Sequence, residues 1–363
     1  MNNYNTGLIF KWLKSENASS IETKKLAKKT REAFNMTARE YRKLLSYGRE
    51  KTKVLERLMS ANEWNKIDFS KIPSRAGIIY RNAFARRDIL AKKYEEFAKN
   101  KDTKVNAEVL YPHDIAHRAF QMSNSMTPIE DPARLMLQKY WNGLKDFYNG
   151  REENGIAIID VSGSMAGTPM EAAVSMGAYI ADKSHGPFAN HFITFSERPK
   201  LVKFEGVDIV DKFHRCVSAD WSMNTNLQAV FDMLLKTAKN KHVKVEDIVS
   251  KIFIFSDMEF DGCVTFDKSK NRWGYGKTVE SIDEVNSDLE KIKKQWEAEG
   301  YPFPKVIFWN LNARHNNIPA IGEGFSYVSG FSPSMVDAIF SGKDGYDLML
   351  EKLLSDRYKV VTA

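Results

Sequence analysis

Apolar residues follow two regimes along the chain, and the change falls near residue 150. Before it they recur every three or four positions, as in Leu8 and Trp12, then Leu26, Ala33 and Phe34. That is the period of helices burying one face. Thr37-Ala-Arg-Glu40 reads as a capping box, with the Thr37 hydroxyl taking a free amide while Glu40 reaches back. It opens a helix through Tyr41, Leu44, Leu45 and Tyr47. Val54, Leu55, Leu58 and Met59 mark another that ends before Asn65. Further helices are expected over Ser74–Tyr80, Ile89–Phe97, Pro112–Phe120 and Pro128–Tyr148, where Glu130 and Asp131 suit the positive helix start. Helices joined by short loops predict an α-solenoid-like module over 1–150, without a fixed-period repeat.

From 151 the apolar residues gather into short runs separated by helical stretches. The runs are Ile156–Ile159, His191–Phe195, Leu201–Phe204, Ile252–Phe255, Val306–Trp309 and Phe325–Val328. The helices expected between and after them are Pro169–Lys183, Asp208–Cys216, Leu227–Lys239, Val279–Glu299, Pro333–Phe340 and Tyr346–Leu354. Buried strands alternating with crossover helices predict a doubly wound, mainly parallel sheet with helices on both faces, over 151–363. Leu201–Phe204 follows Pro199 so closely that an antiparallel edge hairpin is expected there. Asp261–Lys277 reads as a long polar and aromatic loop at the rim of the sheet.

Composition narrows the class. No apolar run approaches the eighteen or so residues of a membrane span. Two cysteines, Cys216 and Cys263, are too few for a disulfide framework and lack metal-ligand spacing. A cytoplasmic protein is expected. The net charge of +7 is unevenly spread: residues 1–150 hold 29 Lys+Arg against 17 Asp+Glu, and 151–363 hold 25 against 30. A basic first half is expected to face a polyanion, and the second half is not.

The candidate chemistry sits at strand ends. Ile156–Ile159 runs into Asp160-Val-Ser162-Gly-Ser164, which puts a carboxylate and two hydroxyls above the carboxyl edge of the sheet, where open α/β sheets bind ligands. Such oxygen ligands suit Mg²⁺, Mn²⁺ or Ca²⁺ and not zinc. This segment resembles the first part of the metal-ion-dependent adhesion site of von Willebrand factor A (vWA) domains. Trp221-Ser-Met-Asn-Thr225 resembles the second part and Ile252-Phe-Ile-Phe-Ser-Asp257 the third. The resemblance implies one metal, Mg²⁺ first, held by Asp160, Ser162, Ser164, Thr225 and Asp257. The serines would bind directly, Thr225 directly or through a shift on ligand binding, and the aspartates through water. One position would stay open for an acidic group of a partner protein. The bland alternative is a degenerate fold in which these residues only cap turns. A basic helical module followed by a vWA-like domain is also similar to the TROVE (Ro autoantigen) family. Leu58–Trp64, Ile72–Ser74, Tyr111–His113 and Phe255–Phe260 look like the uncharacterised domain-of-unknown-function 2828 family.

The basic helices offer Lys24, Lys25, Lys28, Lys29, Arg31, Arg39, Arg42 and Lys43, then Arg81, Arg86 and Arg87. Positive density with Tyr41, Tyr47 and Tyr80 for stacking fits RNA, which the TROVE likeness implies; a merely solvated helix face is the other reading. His113 and His117 lack the Glu of an H-E-x-x-H site and are expected to pack between helices. There is no P-loop, no GxGxxG after a strand and no G-x-S-x-G elbow, so a non-enzymatic binding protein is expected. The alternatives are a protein-interaction scaffold without RNA and a metal-dependent phosphoesterase or nuclease.

Overall fold

The computed structural model describes residues 10, 13–51, 55–107, 110–123, 126–148, 150, 153–194, 198–218, 227–257, 282–312, 324–330, 333–340 and 345–354. It divides into two compact units, Met1–Asn106 and Ala107–Ala363.

The first unit is helical: α1 (Ile21–Ala33), α2 (Ala38–Lys51), α3 (Leu55–Ser60), α4 (Ser74–Ala85) and α5 (Asp88–Lys99). The expected capping box opens α2. The Thr37 amide donates to Glu40 Oε2 at 2.8 Å and the Glu40 amide to Thr37 Oγ1 at 3.3 Å. Ala27 of α1 packs with Tyr41 and Leu45 of α2. A second core gathers Phe69 against Phe84 and Tyr94, with ring centroids 5.3 and 5.2 Å apart in edge-on geometry. Such pairs add roughly 0.5–1.5 kcal/mol each beyond their burial.

The second unit opens with α6 (Pro112–Phe120) and α7 (Pro132–Asn142). α7 is shorter than the helix expected over Pro128–Tyr148. Asp131 Oδ1 caps the Ala133 amide at 2.8 Å, Pro132 takes the first turn and Gly143 closes the end. Then come β1 (Gly155–Ile159), α8 (Thr168–Lys183), β2 (His191–Thr194), β3 (Leu201–Lys203), α9 (Ile209–Val217), α10 (Leu227–Asn240) and β4 (Lys251–Ser256). The order ends with α11 (Ile282–Ala298), β5 (Lys305–Asn310), β6 (Phe325–Ser329), α12 (Pro333–Phe340) and α13 (Gly345–Leu353). The six strands lie in the order β3-β2-β1-β4-β5-β6, parallel except for β3, which pairs antiparallel with β2 as the sequence predicts.

The sheet is covered on both faces, which is why its central strands are apolar throughout. Ile156 and Ile158 join a core with Phe231 and Leu234 of α10 and Trp296 of α11. Each such buried aliphatic side chain stabilises the fold by roughly 1.5–3 kcal/mol. On the other face α8 lies close to β1: a Cβ at Gly177 would fall 2.3 Å from Ile159 Cδ1, so any side chain there would have to displace Ile159. Phe253 of β4 stacks there on Phe340 of α12, with centroids 5.2 Å apart.

The units part at 106/107, well ahead of the change in hydrophobic period. α6 and α7 are helical by pattern, yet their apolar faces lie on α8 and α9. Trp141 meets Phe213 edge-on at 5.4 Å, and the buried Arg134 guanidinium pairs with Asp208, the cap of α9. The period reports a helix, not the core that the helix joins.

Candidate functional site

The site lies where the chain leaves β1 toward β2 on one side while β4 stands on the other, the place where doubly wound sheets open a crevice. β1 and β4 are in register with Ile159 beside Phe255, so the next residues, Asp160 and Ser256, face each other. The Ser256 hydroxyl donates to Asp160 Oδ2 at 2.9 Å. Ser256 in turn is paired with Asn310 across β5, and a row of polar residues crosses the carboxyl end of an otherwise apolar sheet.

Asp160 is 3% exposed and Asp257 2%. Burial pushes the Asp160 carboxyl above its ordinary range, with the nearby Asp257 charge adding to the rise. The Ser162 amide, donating to Oδ1 at 2.8 Å, and the Ser162 and Ser256 hydroxyls offset part of it. Beyond Asp160 a single helical turn, Gly163–Met165, brings Ser162 Oγ within 3.0 Å of Ser164 Oγ. Gly167, at φ 89, then turns the chain into α8.

The donor set fits a hard divalent cation. Two carboxylates buried side by side gain from positive charge, and two half-buried hydroxyls converge beside them. Both oxygens of Asp160 already accept protein hydrogen bonds, so a role through water suits it better than direct ligation. Thr225 and the rest of its segment lie outside the described residues, as do Cys263 and the rim loop Asp261–Lys277.

Two side chains that the sequence reading passed over belong to the site. Ser256 holds Asp160. Asn312 reaches from beyond β5 and donates its Nδ2 to the Ser164 carbonyl at 3.0 Å. Their signal was present, since both are polar residues at the end of a buried strand. His117 lies on the surface of α6 with Nδ1 2.7 Å from Glu171 Oε1 in the first turn of α8. It ties two helices together, in keeping with a packing role.

On the helical unit, Lys24, Lys25, Lys28 and Lys29 of α1 and Arg39, Arg42 and Lys43 of α2 are exposed. Arg31 is not part of that open face: it binds Glu16 Oε1 at 2.8 Å and the Met36 carbonyl at 3.0 Å. Arg81 is half-buried, and Arg86 and Arg87 are exposed, Arg87 lying 3.9 Å over the Trp64 ring. Of the tyrosines considered for stacking, Tyr47 is 60% exposed, whereas Tyr41 is fully buried with its hydroxyl on the Lys14 carbonyl. The Tyr80 hydroxyl is bound to Glu56 at 3.2 Å.

Comparison with known proteins gives two family matches: DUF7788, a domain of unknown function, over residues 154–357, and DUF2828, likewise of unknown function, over residues 8–145. The match to the 2828 family takes in Leu58–Trp64, Ile72–Ser74 and Tyr111–His113. An uncharacterised protein of Acanthamoeba polyphaga mimivirus is 30% identical over 370 residues, covering 94% of this chain and 60% of its own length. This chain thus spans less than two thirds of that relative's length. Among solved structures, the Deinococcus radiodurans RO (RSR) protein aligns at a TM-score of 0.42 and 14% identity, over 95% of this chain and 75% of that one. A likeness of that size assigns no shared fold.

Proposed function

The chain belongs to the DUF7788 family, whose model spans residues 154–357, and on that premise we propose that it is a cytoplasmic, non-enzymatic binding protein with two binding parts. The α/β unit is a vWA-like module that holds one Mg²⁺ through Asp160, Ser162, Ser164, Thr225 and Asp257. Its open coordination position takes an acidic group of a partner protein. The basic helices bind RNA through phosphate contacts from α1 and α2.

One observation carries the metal reading: Asp160 and Asp257 are both buried at neighbouring strand ends, beside two hydroxyls 3.0 Å apart. Without a cation, burying that much negative charge costs stability; with one, it forms a site. Bound metal would supply a Lewis-acidic anchor for a carboxylate. The residues' own task is to hold the hydroxyls in one turn and keep bulk water from the aspartates. Support for the RNA part is the density of exposed Lys and Arg on α1 and α2. Among the described residues no helix is long and apolar enough to cross a membrane, and Cys216 is buried and free.

A scaffold without RNA has one observation in its favour, the burial of Tyr41, which leaves few rings for stacked bases. A salt-titrated binding assay with total cellular RNA separates the two. Affinity that falls steeply with salt, and is lost when Lys24, Lys25, Lys28 and Lys29 become Glu, supports RNA binding. No binding near physiological salt leaves the scaffold. For the metal part, calorimetry with Mg²⁺ should give a single site that Asp257→Ala removes. An absence of heat and of any metal-dependent rise in Tm would refute it.

A further inference from the structure

A chain of polar contacts runs from the outer edge of the sheet to the turn that carries the two serines. Tyr327, on the edge strand β6, is 36% exposed, and its hydroxyl accepts from Asn310 Nδ2 at 3.0 Å. Asn310, 1% exposed at the end of β5, uses its Oδ1 to accept the Asn312 amide at 3.0 Å. Asn312 Nδ2 then donates to the Ser164 carbonyl, also at 3.0 Å. Both ends of the buried Asn310 amide are thereby satisfied, and the Asn312 side chain is aimed at one carbonyl.

That carbonyl belongs to a turn anchored at its far end by the fully buried Met165, with the serine-bearing part nearer the surface. Among the described residues a Cβ at Gly163 would meet nothing within 4 Å, so nothing described packs on that side of the turn. Its internal bonds are those of one short turn, Met165 amide to Ser162 carbonyl at 3.0 Å and Ala166 amide to Gly163 carbonyl at 3.2 Å. Among the described residues, two outside hydrogen bonds hold its hydroxyl-bearing part: Asp160 Oδ1 accepts from the Ser162 amide and Asn312 Nδ2 donates to the Ser164 carbonyl. The spacing of the two hydroxyls depends on both.

We propose that Asn312 is a positioning residue for the cation site, held in register by Asn310 and Tyr327, so that the edge strand helps to set the geometry of the Ser162–Ser164 turn. This rests on the metal reading above. Outer contacts that orient metal ligands typically contribute about 10–100-fold to affinity, whereas a half-buried carbonyl that loses one donor can turn to water instead. Asn312 therefore acts on metal affinity far more than on the stability of the metal-free fold.

The test is Mn²⁺ binding to the full chain, followed by calorimetry and by the metal-induced rise in Tm. Wild type is compared with Asn312→Ala, Tyr327→Phe and Asp160→Asn. The expected result is a roughly 10–100-fold loss in Asn312→Ala, a smaller loss in Tyr327→Phe, and a metal-free melting curve matching wild type in both. Wild-type binding in Asn312→Ala overturns the proposal and leaves the metal reading intact. If Asn312→Ala melts early without metal, Tyr327→Phe decides, because it leaves the turn itself untouched: weakened Mn²⁺ binding with a normal melt supports the relay, and unchanged binding overturns it. If wild type takes up no Mn²⁺ and Asp160→Asn behaves identically, the metal reading fails and the relay falls with it.

Discussion

The two compact units dispose of their charge in opposite ways. Residues 1–106 carry 25 Lys+Arg against 12 Asp+Glu, and Lys24, Lys25, Lys28, Lys29, Arg39, Arg42 and Lys43 of α1 and α2 are exposed. Residues 107–363 carry 29 against 35, and two of the acids, Asp160 and Asp257, are withdrawn from water at the end of the sheet. A diffuse charge acts as a sum, in which each exposed side chain contributes little and can be exchanged. A concentrated charge acts through single residues, because a buried carboxylate needs its partners in place. Substitutions should therefore be forgiven on the helices and punished at the sheet edge.

The hardest test of that contrast is Arg134→Ala, which leaves Asp208 buried without its guanidinium. Urea unfolding should show a loss of about 3–5 kcal/mol, and Arg134→Met with Asp208→Asn should recover part of it. Next, Asp257→Ala should weaken Mg²⁺ binding by at least about 100-fold in calorimetry, the upper range for groups that organise a metal site, with RNA affinity unchanged. A parallel loss of RNA binding would show that the two units do not divide the work. On the helices, Lys25→Ala alone should lower the salt slope of RNA binding by only about 1, so the four-lysine reversal is needed to abolish it. A single lysine that abolished binding would break the contrast.

Smaller effects sharpen it. Tyr41→Phe removes the hydroxyl bond to the Lys14 carbonyl and should cost about 0.5–1.5 kcal/mol. Asp68, on the surface of the first unit, is held down to about 2 by Lys71 and Ser70. Its folded-state pKa is lowered, so its contribution is present above the ordinary carboxylate range and fades as pH falls through about 2. Screened by solvent, it should be worth about 0.5 kcal/mol. Asp68→Asn should then match wild type below pH 2 in melting experiments and fall slightly short of it at neutral pH.

What could be read from the sequence follows the same division. Strand ends are local events, so Asp160 and Asp257 could be placed on the sheet edge from Ile156–Ile159 and Ile252–Phe255 alone. Ser256 and Asn312 carry the same signal, but their use depends on which strands become neighbours and in what register, and that is decided by packing. On the helices the period located Tyr41 correctly on α2 without revealing that α1 covers it, or that Arg31 turns inward to Glu16. The cap at Asp131 and the stop at Gly143 shorten α7 through local chemistry that the longer helical pattern over Pro128–Tyr148 concealed.

The placing of α6 and α7 bears on how such a chain can be cut or recombined. The DUF2828 match runs to residue 145 and so takes in both helices, while the packing assigns them to the α/β unit from residue 107 on. The stretch that the family match covers and the stretch that packs as one unit are offset by these two helices. A gene fragment starting at 151 would expose the faces of α8 and α9 on which Trp141 and Arg134 sit, and should come out of cells as aggregate; one starting at 107 keeps them covered. A crossover between relatives placed at the family border would pair helices with a sheet they were not selected against.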